Sequence, residues 1–247
     1  MKIAVISDIH GNMEALEAVM DDIAKESCEK IFVLGDYAMA GPEPSKTVDW
    51  FFEKQFEDKF KMIQGNTDLM IADYNEDLYQ ALKSNAPIMS EALKSDVETL
   101  NIVQKDFLKK LPAQLSIECD GVKILLVHGS PRRNNEDIHP NLSIKNIEEM
   151  LKGIDADIVL CGHTHVPCGY QTSNKQTVVN VGSVGRPFTP EPKACYLVLT
   201  INNGKSIFEH KFVDYNKTLA AKKLSKRNFI GVEKLAEMLI QPEKRHF

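Results

Sequence analysis

The chain has 247 residues, enough to bury a core of ordinary size, and its 43% hydrophobic and 26% charged residues are those of a soluble globular protein, excluding a disordered or membrane-embedded one. A net charge of -5 gives no general attraction for nucleic acid, so stable nucleic-acid binding is not expected. Five cysteines, an odd number with no CxxC pair, exclude a disulfide framework or a thiolate zinc site and fit a reducing cytoplasm.

Taken in chain order, KIAVIS reads as a buried strand, because Asp8 follows too soon for a secretory apolar segment. EALEAVMDDIAKE places Leu16, Val19, Met20 and Ile23 at helical spacing. KIFVLGD is a second strand, TVDWFFEKQ a short amphipathic helix and KFKMIQGN a third strand. Residues 68–110 are polar and helical in pattern, a cover beside the sheet. LSIECDGVKILLVHGS gives two strands around Asp120-Gly121, a dipeptide suited to the positive φ angles of a tight hairpin. SIKNIEEMLKGI is a helix and DIVLCGHTH another buried strand. QTVVNVGSVG and ACYLVLTINNGKSIFEHKFV add strands, with Asn203-Gly204 as a second hairpin turn. The basic run KTLAAKKLSKRN is the solvated face of a helix, and VEKLAEMLI closes a helical tail over 216–247. Apolar runs such as IFVL and ILLV are too short to span a bilayer, so no membrane association is expected. The alternation of strands and helices, without linker or repeat, indicates one α/β domain over 1–247.

Most of these strands end in glycine beside a side chain able to bind metal. The set is Asp8 and His10 in SDIH, Asp36 in LGD, Asn66 in QGNTD, His128 in VHG, and His163 and His165 in GHTH. Ligand sites gather at the carboxyl ends of strands in α/β sheets, where loops converge on one edge. Residues i and i+2 of an extended segment project to the same side, so Asp8 with His10, and His163 with His165, are expected to face one cavity. The remaining histidines, His139, His210 and His246, lie outside these motifs. Two Asp, one Asn and four His are too many donors for one ion but suit two. Imidazole and carboxylate without thiolate indicate two divalent transition metals (Mn, Fe, Zn, Ni or Co) rather than Ca or Mg. Cys161 is read as a small buried hydrophobe, and Asn180 with the NVGSVG glycines as shaping the loop behind GHTH.

Each motif alone is ordinary turn chemistry. In this order, D-x-H, GD, GN, a lone HG and GHxH resemble the calcineurin-like metallophosphoesterase family, over residues 1 to about 190. The resemblance implies two mixed β-sheets packed as a sandwich flanked by α-helices, with a dinuclear metal site at the sheet edge. It implies Asp8, His10 and His165 on one metal, Asn66, His128 and His163 on the other, and Asp36 bridging them. The nucleophile would be a hydroxide held between the ions, with no protein nucleophile needed.

Departures from the family pattern narrow the activity. Many members read GNHD or GNHE, with a histidine near the leaving oxygen, whereas this chain reads GNTD. Thr67 cannot act as a general acid near pH 7, which favours good leaving groups unless another donor such as His139 reaches in. GDYAMAG puts Met39 and Ala40 where the phosphoprotein phosphatases carry Asp and Arg. AMAGPEP and the tail FVDYN instead resemble small bacterial and archaeal phosphodiesterases and diadenosine polyphosphate hydrolases. Arg132, Arg133 and Arg186 are candidate phosphate contacts, since guanidinium forks match phosphate oxygens. The expected activity is hydrolysis of a small phosphodiester or nucleotide substrate. A phosphomonoester or phosphoprotein phosphatase is the second reading. A non-catalytic scaffold, as in sorting-complex relatives that have lost ligands, ranks third because all seven ligands are present.

Overall fold

Valine, isoleucine and leucine fill the short strands of this chain, and in the computed structural model, which describes residues 1–242, these strands form two five-stranded sheets. His246 and the end of the expected 216–247 tail lie outside the described residues. In the first sheet β1 (Lys2–Ile6), β2 (Lys30–Val33) and β3 (Phe60–Met62) run parallel, and β9 (Ala194–Asn202) and β10 (Lys205–Val213) pair antiparallel beyond β1. In the second, β5 (Val122–Val127), β6 (Ile158–Cys161) and β8 (Thr177–Asn180) are parallel, with β4 (Gln114–Cys119) and β7 (Cys168–Gln171) antiparallel at the edges.

The two sheets bury their facing sides against each other. Ile3, Val5, Phe32 and Leu34 pack with Ile124, Leu126, Ile158 and Leu160 in one cluster, all nearly excluded from solvent. The alternate residues Ala4, Ile6 and Val33 face helices on the other side of the first sheet. Strands buried on both faces need apolar side chains throughout, which is why KIAVI and KIFV read as continuous apolar runs. The edge strand β4 instead alternates exposed and half-buried residues along most of its length.

Helices cover the outer faces. α1 (Met13–Glu26) turns Leu16, Val19 and Ile23 inward, and the Asn12 side chain caps it by accepting the Ala15 N–H at 3.2 Å. α2 (Pro44–Lys54) lies on the same side. The 68–110 cover resolves into α3 (Asn66–Ala72), α4 (Glu76–Asn85), α5 (Pro87–Thr99) and α6 (Ile102–Lys110). α7 (Ile144–Met150) packs on the second sheet, while α8 (Lys217–Leu224) and α9 (Val232–Ile240) return to the first. Both hairpins form as expected, with positive φ at Asp120, Gly121, Asn203 and Gly204. The strand β7, with its short CGYQ sequence, was not anticipated, and β6 ends at Cys161, leaving GHTH in the following loop.

One buried ion pair ties the tail to the loop after β2. Arg227, between α8 and α9, reaches Asp96 Oδ1 of α5 at 2.7 Å and donates to the Gly41 carbonyl at 2.7 Å. The fully buried Asp96 accepts the Ala40 N–H at 2.8 Å on its other oxygen. Removing one partner of a buried pair leaves an uncompensated charge. Arg227→Met is therefore expected to lower unfolding stability by about 3 kcal/mol in urea titration. Arg227→Met combined with Asp96→Leu should recover part of that loss, and an unchanged midpoint for the single variant would show that the pair does not hold the tail.

Candidate metal centre

The parallel strands β1, β2, β3, β5 and β6 all end at one edge, and the loops that follow are joined by backbone bonds. Asp8 N–H donates to the Gly35 carbonyl at 3.0 Å and His10 N–H to the Asp36 carbonyl at 2.9 Å. Strand alternation does not bring the paired residues together, contrary to the expectation from i and i+2 spacing. Asp8 (φ 55°), His10 (47°), Asp36 (57°), His163 (67°) and His165 (62°) all adopt left-handed backbone. Such a residue costs on the order of 1 kcal/mol, a strain that clusters at functional sites. Tight turns, rather than extended chain, aim these side chains inward.

Close approach at two glycines permits the geometry. A Cβ on Gly65 would lie 2.1 Å from Asp36 Oδ1, and one on Gly162 would lie 2.5 Å from Asp8 Oδ2. Asp68, buried at the start of α3, accepts N–H bonds from Asp36 (2.8 Å), Tyr37 (2.9 Å) and Gly65 (2.8 Å), which fixes the loop that presents Asp36. Burial and the neighbouring Asp36 push the Asp68 carboxyl up to about 7. Asp68 lies outside the expected donor set. Its signal was there, as an acidic residue in the first turn of a helix that opens on GN.

Three imidazoles have their tautomer set by backbone. Nδ1 of His10 lies 2.7 Å from the Met39 carbonyl, Nδ1 of His128 lies 2.7 Å from the Leu34 carbonyl, and Nδ1 of His165 lies 2.6 Å from the Arg186 carbonyl. A carbonyl only accepts, so each Nδ1 carries the hydrogen and each neutral ring presents a lone pair at Nε2. Those lone pairs converge. His10 Nε2 and His165 Nε2 are 3.1 Å apart, and His128 Nε2 stands 2.9 Å from Asn66 Oδ1. Asp8 Oδ1, buried without a hydrogen-bond partner, lies 3.2 Å from His165 Nε2, 3.8 Å from His10 Nε2 and 3.9 Å from His128 Nε2. Asp36 Oδ2 lies 3.4 Å from His128 and 3.7 Å from His10.

Acceptors facing acceptors at these distances are repulsive unless positive charge lies among them. The protonation equilibria carry the same message. Burial would raise Asp8, but His165 and His128 outweigh it and hold the carboxyl at about 2. Asp36 is likewise held well below the usual range by His128 and His10 against the effect of burial. Burial disfavours a charged His128, yet Asp36 and Asp8 raise it to about 10, whereas burial and His165 lower His10 to about 4. Two buried carboxylates stay ionised and the cluster favours a cation, so the donor set fits divalent metal. Among the described His, Cys, Asp and Glu residues, Asp8, His10 and His165 form one group able to hold an ion, and Asp8, Asp36 and His128 another.

The other expected site residues divide. Asn66 Oδ1 lies 2.9 Å from His128 Nε2. His163 belongs to neither tight group; its ring lies 5.3 Å from that of His128, its Nε2 lies 3.3 Å from Asp137 Oδ1, and its N–H donates to Asp8 Oδ2 at 2.9 Å. A cleft of about 520 Å³ opens on the cluster, and Thr67 and Arg186 line it. Arg132 and Arg133 do not line it, because Glu136 takes both guanidinium groups, with Arg132 Nε at 3.0 Å and an Arg133 terminal nitrogen at 3.2 Å. The hydrogen bond from Arg132 holds Glu136 down at about 2. His139 is also absent from the lining, and its Nδ1 accepts the Asn141 N–H at 3.3 Å, so it does not stand in for the missing acid. Asn180 shapes the GHTH loop as expected, donating to the carbonyls of Gly162 (2.7 Å) and Ile138 (3.0 Å). Cys161 is fully buried in the core, again as expected.

The chain is similar to known proteins in sequence and in fold. Uncharacterized protein MJ0912 of Methanocaldococcus jannaschii is 28% identical over 211 residues, covering 79% of this chain and 81% of that protein. Hypothetical protein PH1004 of Pyrococcus horikoshii superposes with a TM-score of 0.84 at 23% identity, over 99% of each chain. A metallophosphoesterase of Sphaerobacter thermophilus superposes with a TM-score of 0.77 at 23% identity, over 97% of this chain and 98% of its own. The sequence model of the calcineurin-like phosphoesterase superfamily domain matches residues 1–204, and the chain therefore belongs to that superfamily.

Proposed function

We propose that this protein is a phosphodiesterase that hydrolyses phosphodiester or dinucleoside polyphosphate bonds with two divalent transition metal ions (Mn, Fe, Zn, Ni or Co). Membership of the superfamily supports hydrolysis of phosphoric esters. The observation that carries the metal requirement is the bare Asp8 Oδ1 among three imidazole nitrogens. Asp8, His10 and His165 would hold one ion, Asn66, His128 and His163 the other, and Asp36, whose Oδ2 faces both His10 and His128, would be shared. Bound there, the ions supply a water of lowered pKa and charge neutralisation for the phosphoryl oxygens.

The protein's own groups then decide which esters react. In hydrolysis the oxygen of water bonds to phosphorus, the ester P–O bond breaks, and the leaving oxygen keeps the electron pair and gains a proton. Thr67 lines the cleft with a buried hydroxyl that has no hydrogen-bond partner. A hydroxyl cannot release its proton near pH 7, so Thr67 does not replace the family's histidine as an acid. Leaving groups that depart as stable anions, such as phosphate chains or aryloxides, are favoured. Arg186, at the same cleft, would grip a phosphate oxygen. Met39 and Ala40 are buried where a phosphoprotein phosphatase carries Asp and Arg, and the Met39 carbonyl is committed to His10. This favours a small diester over a phosphoprotein.

The partner implied is a small phosphodiester or nucleotide. Among the described residues no helix is long and apolar enough to cross a membrane. The five cysteines are all unpaired, which supports a reducing cytoplasm as the site of action.

Protein supplied with Mn, Co or Ni is expected to cleave bis-p-nitrophenyl phosphate and diadenosine tetraphosphate, with p-nitrophenyl phosphate cleaved more slowly. No turnover with any of these metals would remove the proposal, and faster monoester cleavage would select the phosphatase reading. Asp36→Ala should abolish turnover and lower the metal content found by elemental analysis; wild-type rates in that variant would contradict a shared role. Thr67→His is expected to raise monoester hydrolysis by roughly 100-fold, the scale of one placed acid, and an unchanged rate would show that proton donation does not limit the reaction.

A further inference from the structure

The cleft that opens on the metal cluster has two chemically different halves. His10, Asp36, Asn66 and the two GHTH histidines form its floor, and beyond them the wall is apolar. Met39 comes from the loop after β2, Met70 from α3, Leu82 from α4, Met89 from α5, Met238 from α9 and Phe188 from the loop after β8. Four of the nine methionines of the chain, Met39, Met70, Met89 and Met238, line this one space. Three of them, Met70, Met89 and Met238, are only partly buried and border the cleft while also packing against the core.

Thioethers are flexible and polarizable, and their sulfur makes favourable contacts with aromatic ring edges. An aromatic face is already present at the boundary of the two halves, where Phe188 stacks on His165 with ring centroids 5.0 Å apart at 17°. Arg186 stands at the same boundary. Its guanidinium lies 5.6 Å over the Phe188 ring and donates to the Met89 sulfur at 3.4 Å, a weak acceptor that a phosphate oxygen outcompetes. Among the described residues, no acid or amide side chain lines the apolar half, so a charged or hydroxyl-rich substituent would be desolvated there without partners. A space of about 520 Å³ holds a phosphate and one ring system.

We propose that this cleft selects phosphoesters in which the group beyond the reacting phosphate is an uncharged aromatic ring, received by the methionine wall while Arg186 contacts the phosphate. The inference rests on the phosphoester reading above and narrows it: of the esters named there, aryl phosphodiesters are favoured over dinucleoside polyphosphates, whose phosphates and ribose hydroxyls would meet no partner in the apolar half. Methionine suits this task better than leucine, because an unbranched side chain can follow the outline of more than one ring.

The test uses phosphonates, whose carbon–phosphorus bond is not an ester, so that binding is read without turnover. Calorimetry on manganese-loaded protein is expected to show phenylphosphonate binding at least tenfold more tightly than methylphosphonate, and more tightly than hexylphosphonate. Met70→Ser and Met89→Ser should each lower the phenyl-to-methyl ratio by threefold or more, whereas Met70→Leu and Met89→Leu should keep most of it. A ratio near one in the wild-type protein would overturn the proposal, as would serine variants with an unchanged ratio. Hexylphosphonate binding more tightly than phenylphosphonate would assign the wall to an aliphatic chain. A protein that shows the phenyl preference yet cleaves no ester with any metal would sink the hydrolase reading and leave the cleft assignment standing.

Discussion

Three backbone carbonyls, those of Leu34, Met39 and Arg186, determine what the centre of this protein can bind. By accepting the Nδ1 hydrogens of His128, His10 and His165, they oblige each neutral imidazole to present a lone pair to the others and to two carboxylates. A side chain can rotate away from such repulsion, but a ring pinned at its far nitrogen cannot. The repulsion is therefore built into the fold and is relieved by positive charge. The three carbonyls come from loops after β2 and β8, so the donor tautomers depend on both sheets keeping their relative position.

That constraint accounts for the shape of the loops. Left-handed backbone at five of the seven donor residues is unfavourable locally, and rigid surroundings are needed to hold it. The surroundings are the double-faced strands, whose residues are buried between the sheets on one side and beneath helices on the other. Asp68 adds a carboxylate that gathers three backbone N–H groups around Asp36, and the glycines at 65 and 162 let the loops approach within van der Waals contact of the acidic side chains. The core supplies the stability, and the loops convert part of it into a strained, ordered set of donors.

Much of this was legible in the sequence, for identifiable reasons. Strand ends followed by glycine and a donor residue announced Asp8, His10, Asp36, Asn66, His128, His163 and His165, and the Asp-Gly and Asn-Gly turns carried their own backbone preference. The order of those motifs implied the two-sheet architecture through resemblance, whereas hydrophobic pattern alone indicated only one α/β domain of alternating strands and helices. The geometry behind the paired donors was misread, because periodicity describes extended chain and says nothing of left-handed turns beyond it. Arg132, Arg133 and His139 sat near the right motifs, yet Glu136 and a local turn claim them. Contacts of that kind join side chains across a folded loop and leave no periodic trace. The methionine wall was invisible for a related reason, since its members come from four helices and two loops.

The centre also draws on the whole length of the chain. His10 and His165, whose Nε2 atoms meet, are separated by 155 positions, and Arg227 braces the loop that carries the Met39 carbonyl from still farther along. At about 5–20 residues per second, the ribosome releases the first imidazole roughly 10 to 30 seconds before the second. Through that interval Asp8 and His10 are exposed to solvent ions with only a fraction of their eventual companions. The full donor set therefore exists only once residue 165 has been made, and the brace from Arg227 only later still.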